Sequence, residues 1–357
     1  MKVLALLVVS VLVTGCVAPT TKIQKVSSVE AELEAKKQRE LAARAWVETE
    51  KRLYRIGYPI LENGASLCKD KVRPSIGVIA WNNSHFDEQW HEAVDAAYGI
   101  NDLLQVAYIV PGSPADQAGM KEKDIPVSIG DWFVPVGEDA IEEFSDKLAE
   151  LAKDKEQIKV TYRRGEESLT AELTPREVCA YDMVLENSDA KNAYADGERI
   201  VMLRGMMDFF KTDEEAALVI AHELAHNAMG HIDAKKTNAM LGGAVGLLAD
   251  LAAAYYGVDT QGQFTDIGSK AGAATYSVEF EQEADYVGMY LMTLAGYETD
   301  GAANFWRRMA IQSPESIQLK SSHPTTPERF IAIEQAVKEI EVKQAAGSAL
   351  VPDLKEE

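Results

Sequence analysis

Cysteine, histidine, aromatic residues and positive charge are all scarce in this chain. Three cysteines occur in 357 residues, at positions 16, 68 and 179, too few for a disulfide-built scaffold, so the fold must rest on apolar cores. Aromatic residues make up 8% against 46% hydrophobic and 26% charged, the composition of an ordinary globular protein rather than a disordered or wholly membrane-embedded one. Lys and Arg number 36 against 57 Asp and Glu, a formal net charge of −21. With no basic cluster longer than a few residues, the chain has no footprint for a phosphate backbone, which excludes a nucleic-acid partner. The length suffices for two compact domains, each with its own core.

What is present begins at the N-terminus. Lys2 precedes an apolar run, Val3 to Val13, broken only by Ser10, and Val13-Thr14-Gly15-Cys16 sets small residues before a cysteine. The run is too short to cross a bilayer comfortably. It resembles a bacterial lipoprotein signal with its lipobox. That resemblance implies loss of residues 1–15 and diacylation of Cys16 as a membrane anchor; the alternative is an ordinary cleaved signal with Cys16 incidental. Val17, rather than Asp, after the cysteine is what a lipoprotein of the outer membrane would show, on its periplasmic face. In such an oxidising compartment Cys68 and Cys179, which bracket one segment of about a hundred residues, are a possible disulfide. Two separate buried thiols are the alternative.

Composition shifts divide the rest. Residues 16–66 read as a polar tether followed by a solvated amphipathic helix, Ser28 to Tyr54, which would act as a spacer above a membrane. From 67 to 176 short strands alternate with turns: Ile76 to Ala80, Leu104 to Val110, Ile125 to Ile129, and a hairpin of Ile158–Tyr162 with Leu169–Leu173. Short helices at Ala115–Ala118 and Ile141–Ala152 interrupt them. Pro111-Gly112-Ser113-Pro114 with the helix ending at Gly119 resembles the corresponding turn of a PDZ domain, and Ser75-Ile76-Gly77-Val78 resembles its carboxylate-binding loop. The resemblance implies capture of extended peptide termini by β-augmentation. A small β-barrel that merely packs on its neighbour is the other reading.

Residues 177–343 carry the chemistry, and 344–357 read as a flexible acidic tail. Thr212 and Glu215 make a capping-box pattern that starts a helix, and Gly230 is placed to end it. Within it His222-Glu223-Leu224-Ala225-His226 puts two imidazoles one turn apart, the spacing that lets both bind one Zn²⁺, with Glu223 projecting beside them. A second helix, Val278 to Leu294 stopped by Gly296, presents Glu281 and Asp285 one turn apart on one face.

HExxH followed by a helix bearing ExxxD resembles the signature of the zinc metallopeptidase family that includes HtpX, BepA, mitochondrial Oma and the CAAX prenyl protease, over residues from about 180 to 340. The resemblance implies one zinc per chain held by His222, His226 and Glu281, with Asp285 hydrogen-bonding a ligating imidazole and Glu223 as general base. Glu283 is a nearby rival carboxylate, but it points about 160° round the helix from the Asp285 face. The implied fold is α+β: a mostly helical gluzincin-type metalloprotease domain with a small edge β-sheet, preceded by a PDZ-like small β-barrel.

Asn192 to Gly197 and Arg199 to Met207 resemble the family's hairpin and edge strand, which would bind extended or unfolded protein substrates through backbone hydrogen bonds. Ser322-His323-Pro324 with Pro327 and Arg329 resembles a late His-Pro loop, so His323 would either stabilise an oxyanion or occupy a fourth zinc position at rest. His231 reads as structural. Met240 to Tyr256, apolar and Gly/Ala-rich with Asp250 inside, reads as a buried or lipid-brushing helix beside the site rather than a membrane span. Together these imply an envelope protease, with a latched chaperone or assembly factor as the competing class.

Overall fold

The computed structural model describes residues 20–154, 156–256, 258–274, 277–312, 323 and 326–355. The signal read at 1–15 and Cys16 lie outside them, as do Ser322 and Pro324. The chain is a mixed α+β molecule, mostly helical with small sheets.

Helix α1, Ser28–Asn63, starts on a capping box: the Ser27 hydroxyl accepts from Glu30 N, and the Glu30 carboxylate takes Ser27 N. Its first turns are exposed. From Ala43 onward, however, Val47, Leu53, Ile56 and Ile60 recur at helical spacing and are buried. The spacer helix expected to end near Tyr54 therefore runs on to Asn63, and its second half is core. Arg52 and Arg55 both reach Asp213, at 3.0 and 2.9 Å, tying this helix to the start of the one bearing His222.

The next segment is closed at its base by β1, Val72–Ser75, which pairs antiparallel with β8, Arg176–Cys179, and beside them Cys68 and Cys179 form a disulfide with Cα atoms 5.6 Å apart. Between lie β2 (Val78–Trp81), α2 (His91–Tyr98), β3 (Gln105–Ile109), α3 (Pro114–Gln117), β4 (Ile125–Ile129), β5 (Trp132–Phe133), α4 (Ala140–Asp154), β6 (Ile158–Arg164) and β7 (Glu167–Leu173). Strands β5-β4-β6-β7 form one antiparallel sheet and β2-β3 another, over a core of Val106, Ile129, Ile158, Val160 and Leu173. The strand expected across 76–80 is broken at Gly77, whose φ of +75° turns the chain between β1 and β2. A Cβ there would stand 2.1 Å from Ser113 Cβ, so only glycine fits. Helix α2 was not expected; Ala93 and Val94 pack it with Trp81 against Ala43 and Val47 of α1.

The remainder is a small sheet and a helical body. Strands β9 (Asp182–Glu186), β10 (Ala193–Ala195) and β11 (Arg199–Leu203) are ordered β10-β11-β9, with β11 antiparallel to β10 and parallel to β9. The run from Arg199 is thus the central strand, the edges are β10 and β9, and Met206-Met207 belong to helix α5, Arg204–Phe209. Then follow α6 (Asp213–Ala228), α7 (His231–Tyr255), α8 (Gln263–Ala274), α9 (Ser277–Leu294), α10 (Ala302–Gln312) and α11 (Pro327–Ala345). Of the two expectations for helix α7, buried or lipid-brushing, the structure excludes the first: it folds against α8 as a hairpin with most of its surface exposed. Past α11, Lys343 Nζ donates to Val351 O at 2.9 Å and to Asp353 at 2.7 Å, and Asp353 N donates to the Tyr286 hydroxyl of α9 at 2.9 Å.

Candidate metal centre

Helix α6 begins where Thr212 caps it, its hydroxyl accepting from Glu215 N, with Asp213, Glu214 and Glu215 in the first turn favouring the positive end of the helix dipole. The Glu215 carboxylate also receives Arg308 Nη2 of α10 at 2.6 Å. Every residue from Ala216 to Ala228 is buried, so α6 is a central helix rather than one with a single apolar face. Five alanines along it keep its neighbours close. Gly288 of α9 lies against it, and a Cβ there would come within 3.4 Å of His222 N.

That close approach brings the two motif helices together. His222 Nε2 and His226 Nε2 are 3.1 Å apart, and the Glu281 carboxylate stands 3.3 Å from each, one oxygen per ring. His323 Nδ1 lies 2.9 Å from Glu281 Oε2 and 3.4 Å from His222 Nε2. The four donor atoms of His222, His226, Glu281 and His323 all fall within 4.8 Å of one another, with three of the residues buried. Glu223 faces the same space: it is buried, its Oε1 is 3.5 Å from His323 Nε2, and its Oε2 makes no hydrogen bond. Glu281 Oε1 is likewise buried without one. Two imidazole nitrogens, an orphaned carboxylate oxygen and a further imidazole converging here make a donor set that could hold a divalent metal ion.

His222, Glu281 and His226 are each held from behind. Asp285 Oδ1 sits 2.9 Å from His222 Nδ1, fixing which ring nitrogen faces the cluster. Asp285 is in turn gripped by Arg329 of α11, Nε to Oδ2 at 2.7 Å and Nη2 to Oδ1 at 2.8 Å, while Arg329 Nη1 reaches Glu281 Oε2 at 3.2 Å. Arg329 is 1% exposed and lies over the Trp306 ring, whose centroid is 5.2 Å from that of His222. His226 is held by a different chain of contacts: its Nδ1 lies 2.9 Å from His231 Nδ1, and His231 Nε2 lies 2.9 Å from Glu283. Asn227, next to His226, accepts Gly197 N and donates to Arg199 O, hooking the β10–β11 turn onto the helix.

The electrostatics follow from this packing. Burial works against a charged His222, but hydrogen bonds to Asp285 and Glu281, and their charges, overcome it and lift the imidazole to about 9. Burial dominates at His226, which is pushed down to about 3 and stays neutral. For Glu281 burial is likewise outweighed, here by the His323 charge and by the closeness of the His222, His226 and His323 imidazoles, so its carboxyl titrates well below the usual range.

The residues singled out in the sequence, His222, Glu223, His226, Glu281, Asp285 and His323, therefore lie together. The sequence reading missed the bracing role of Arg329 and the Glu283–His231 pair behind His226. A histidine just past the helix end, and a second acid beside the expected ligand on α9, were the available signals. His85 and His91 are elsewhere; His85 stacks on Trp81 and lies 2.8 Å from Glu50.

Comparison with known proteins points the same way. The model of peptidase family M48 matches residues 155–337, just over half of the chain. Mitochondrial metalloendopeptidase OMA1 of Schizosaccharomyces pombe is 30% identical over 152 residues, covering 42% of this chain and 44% of that protein. Metalloprotease LoiP of Escherichia coli is 29% identical over 39% of this chain and 55% of its own length, and the β-barrel assembly-enhancing protease of Yersinia pestis 25% identical over 37% and 29%. The chain thus spans about half or less of the relatives it matches. Among solved structures, the HtrA3 PDZ domain aligns with 30% of this chain and 88% of its own at 17% identity and a TM-score of 0.22, too slight a likeness to carry an argument.

Proposed function

The chain belongs to peptidase family M48, and from that premise we propose that it is a zinc-dependent metalloendopeptidase of a bacterial cell envelope acting on misfolded or misassembled envelope proteins. The observation that carries the proposal is the convergence of His222, His226 and Glu281 with Glu223 alongside. In this reading those three side chains hold one zinc ion, which when bound supplies Lewis-acid polarisation of the scissile carbonyl and acidifies water. Glu223, buried with one oxygen free of hydrogen bonds, takes the proton from the attacking water and returns it to the leaving amine. Asp285, braced by Arg329, holds His222 in the tautomer whose Nε2 faces the site.

Substrate binding is assigned to β10. Its inner side pairs with β11, and among the described residues its outer side pairs with no strand. An extended chain can add there through backbone hydrogen bonds, which suits unfolded proteins of varied sequence. The gluzincin-type architecture, the PDZ-like reading of residues 67–176 as a module that takes protein termini, and lipid anchoring through Cys16 belong to the same proposal. The envelope location draws support from a relative named for β-barrel assembly.

The test is Glu223→Gln. The variant retains about one zinc per chain by metal analysis and loses casein cleavage by at least a hundredfold; cleavage that survives it, or that ignores a chelator, overturns the mechanism. A second reading has one observation in its favour: His323 stands within the donor cluster, 2.9 Å from Glu281, the placement of a resting fourth ligand. The protein would then be a latched enzyme or assembly factor until that histidine leaves. His323→Ala separates the two, since faster casein cleavage supports a latch and slower cleavage a catalytic histidine.

A further inference from the structure

We propose that the α7–α8 hairpin is a lipid-docking element that lies in one leaflet of a bilayer, a membrane contact separate from the N-terminal anchor. The hairpin is inserted between the two motif helices, leaving α6 at Gly230 and rejoining at Ser277. Only 17% of the most apolar 18-residue stretch of α7 is buried. Met240, Leu241, Val245, Leu247, Leu248 and Leu251 are each half exposed or more, a contiguous apolar surface of a kind water-facing proteins rarely leave uncovered.

The interior of the hairpin is built for an apolar medium. Glycines bring the backbones together: a Cβ on Gly242 would stand 2.0 Å from Gly268 O, and one on Gly246 2.0 Å from Phe264 O. Such small-residue seams are how helices associate in lipid, where apolar burial gives no drive. Asp250, the one acid inside the seam, is saturated within the hairpin. It accepts Thr265 N and Oγ1 at 2.8 and 2.7 Å, Phe264 N at 3.1 Å and the Thr260 hydroxyl at 2.5 Å. Its carboxylate needs no water.

Dimensions and polarity set the mode. Helix α8 has 12 residues, about 18 Å at ~1.5 Å per residue, well short of the ~30 Å hydrocarbon core. A hairpin of this reach cannot cross and return. Leu241 and Val245 of α7 and Ala271 of α8 line one shallow groove, and at ~100° per residue Phe264 and Ile267, both exposed, fall on the Ala271 side of α8 while the exposed Asp266 and Lys270 fall away from it. The hairpin therefore rests in the plane of the interface, apolar flank down and Asp266 and Lys270 towards water. Tyr255 and Tyr256, both exposed, cap its tip as interfacial aromatics. The occupant is lipid rather than a second copy, because Cys16, read as a lipidated anchor that remains once residues 1–15 are removed, would already hold the molecule at a bilayer. At a net charge of −21 the attraction cannot come from anionic headgroups, so neutral phosphatidylcholine suffices.

The test uses the full chain in phosphatidylcholine vesicles doped with a photoreactive phosphatidylcholine, with adducts mapped by peptide mass spectrometry. Adducts are expected on residues 240–267 as well as at the N-terminus. Val245→Glu with Leu248→Glu, both at exposed positions, should lower the hairpin adducts at least tenfold, leave the N-terminal adducts unchanged as an internal reference, and leave cleavage of soluble casein intact. Adducts confined to the N-terminus, or hairpin adducts indifferent to the substitutions, overturn the proposal. So do chain-to-chain crosslinks through the hairpin in place of lipid adducts, which would make it a self-association surface. Casein cleavage reads the protease assignment separately.

Discussion

Arg329 is the strongest single lever on the site that does not touch it from the solvent side. Its guanidinium grips Asp285 through two bonds of 2.7 and 2.8 Å, stands 3.2 Å from Glu281, and is 1% exposed. Replacing it with Met keeps the volume and the contact with Trp306 but leaves Asp285 as a buried carboxylate whose main counter-charge is gone. Removing one partner of a buried pair costs about 3–5 kcal/mol, because the remaining charge is desolvated without compensation. At about 2–4 °C per kcal/mol for a domain of this size, the unfolding midpoint should fall by about 6–20 °C. Arg329→Met/Asp285→Leu removes both charges together and should recover most of that loss, since an apolar pair of similar volume is often no less stable than the ion pair. It should not recover proteolysis, because His222 then lacks the acceptor that sets its tautomer. Thermal unfolding of the wild type, both single variants and the double variant gives the coupling directly. A loss below about 1 kcal/mol for Arg329→Met, or additive single effects, would refute the bracing argument.

Three further outcomes follow from the same geometry. Burial opposes a charged His222, but the Asp285 and Glu281 partners raise it to about 9; a zinc ligand must be neutral, so uptake near pH 7.5 should expel about one proton and affinity should rise about tenfold per pH unit up to about 9. Calorimetry in buffers of different ionisation enthalpy reads that proton directly, and identical heats after correction would sink the assignment. Glu283→Gln weakens the contact that orients His231 behind His226, and zinc affinity should fall about 10–100-fold with the helical circular dichroism unchanged. Cys68 and Cys179 close a loop of 111 residues, so reduction should cost about 4–5 kcal/mol; a urea midpoint unmoved by reductant would show that the bridge does not form in solution.

The site was legible in the sequence because its chemistry is local. His222, Glu223 and His226 occupy one turn of one helix, and Glu281 and Asp285 one turn of another, so spacing alone puts each set on a common face. What the sequence concealed is non-local. Nothing near Arg329 announces a carboxylate 44 residues upstream, and His231 reads as a residue past the end of a helix until α9 brings Glu283 to it. The same limit explains the misreading of α1. Leu53, Ile56 and Ile60 continue the helical apolar period beyond Tyr54, but Glu, Lys and Arg dominate the windows before them, and composition outweighed period. For helix α7 the sequence left burial and lipid contact open, and burial is the half that fails. An apolar helix with one acid inside looks like core because burial is the usual fate of such a segment. Only the partner helix shows otherwise: α8 satisfies Asp250 and fills the glycine seam, and with those needs met from one side, the apolar residues on the remaining faces stay exposed among the described residues.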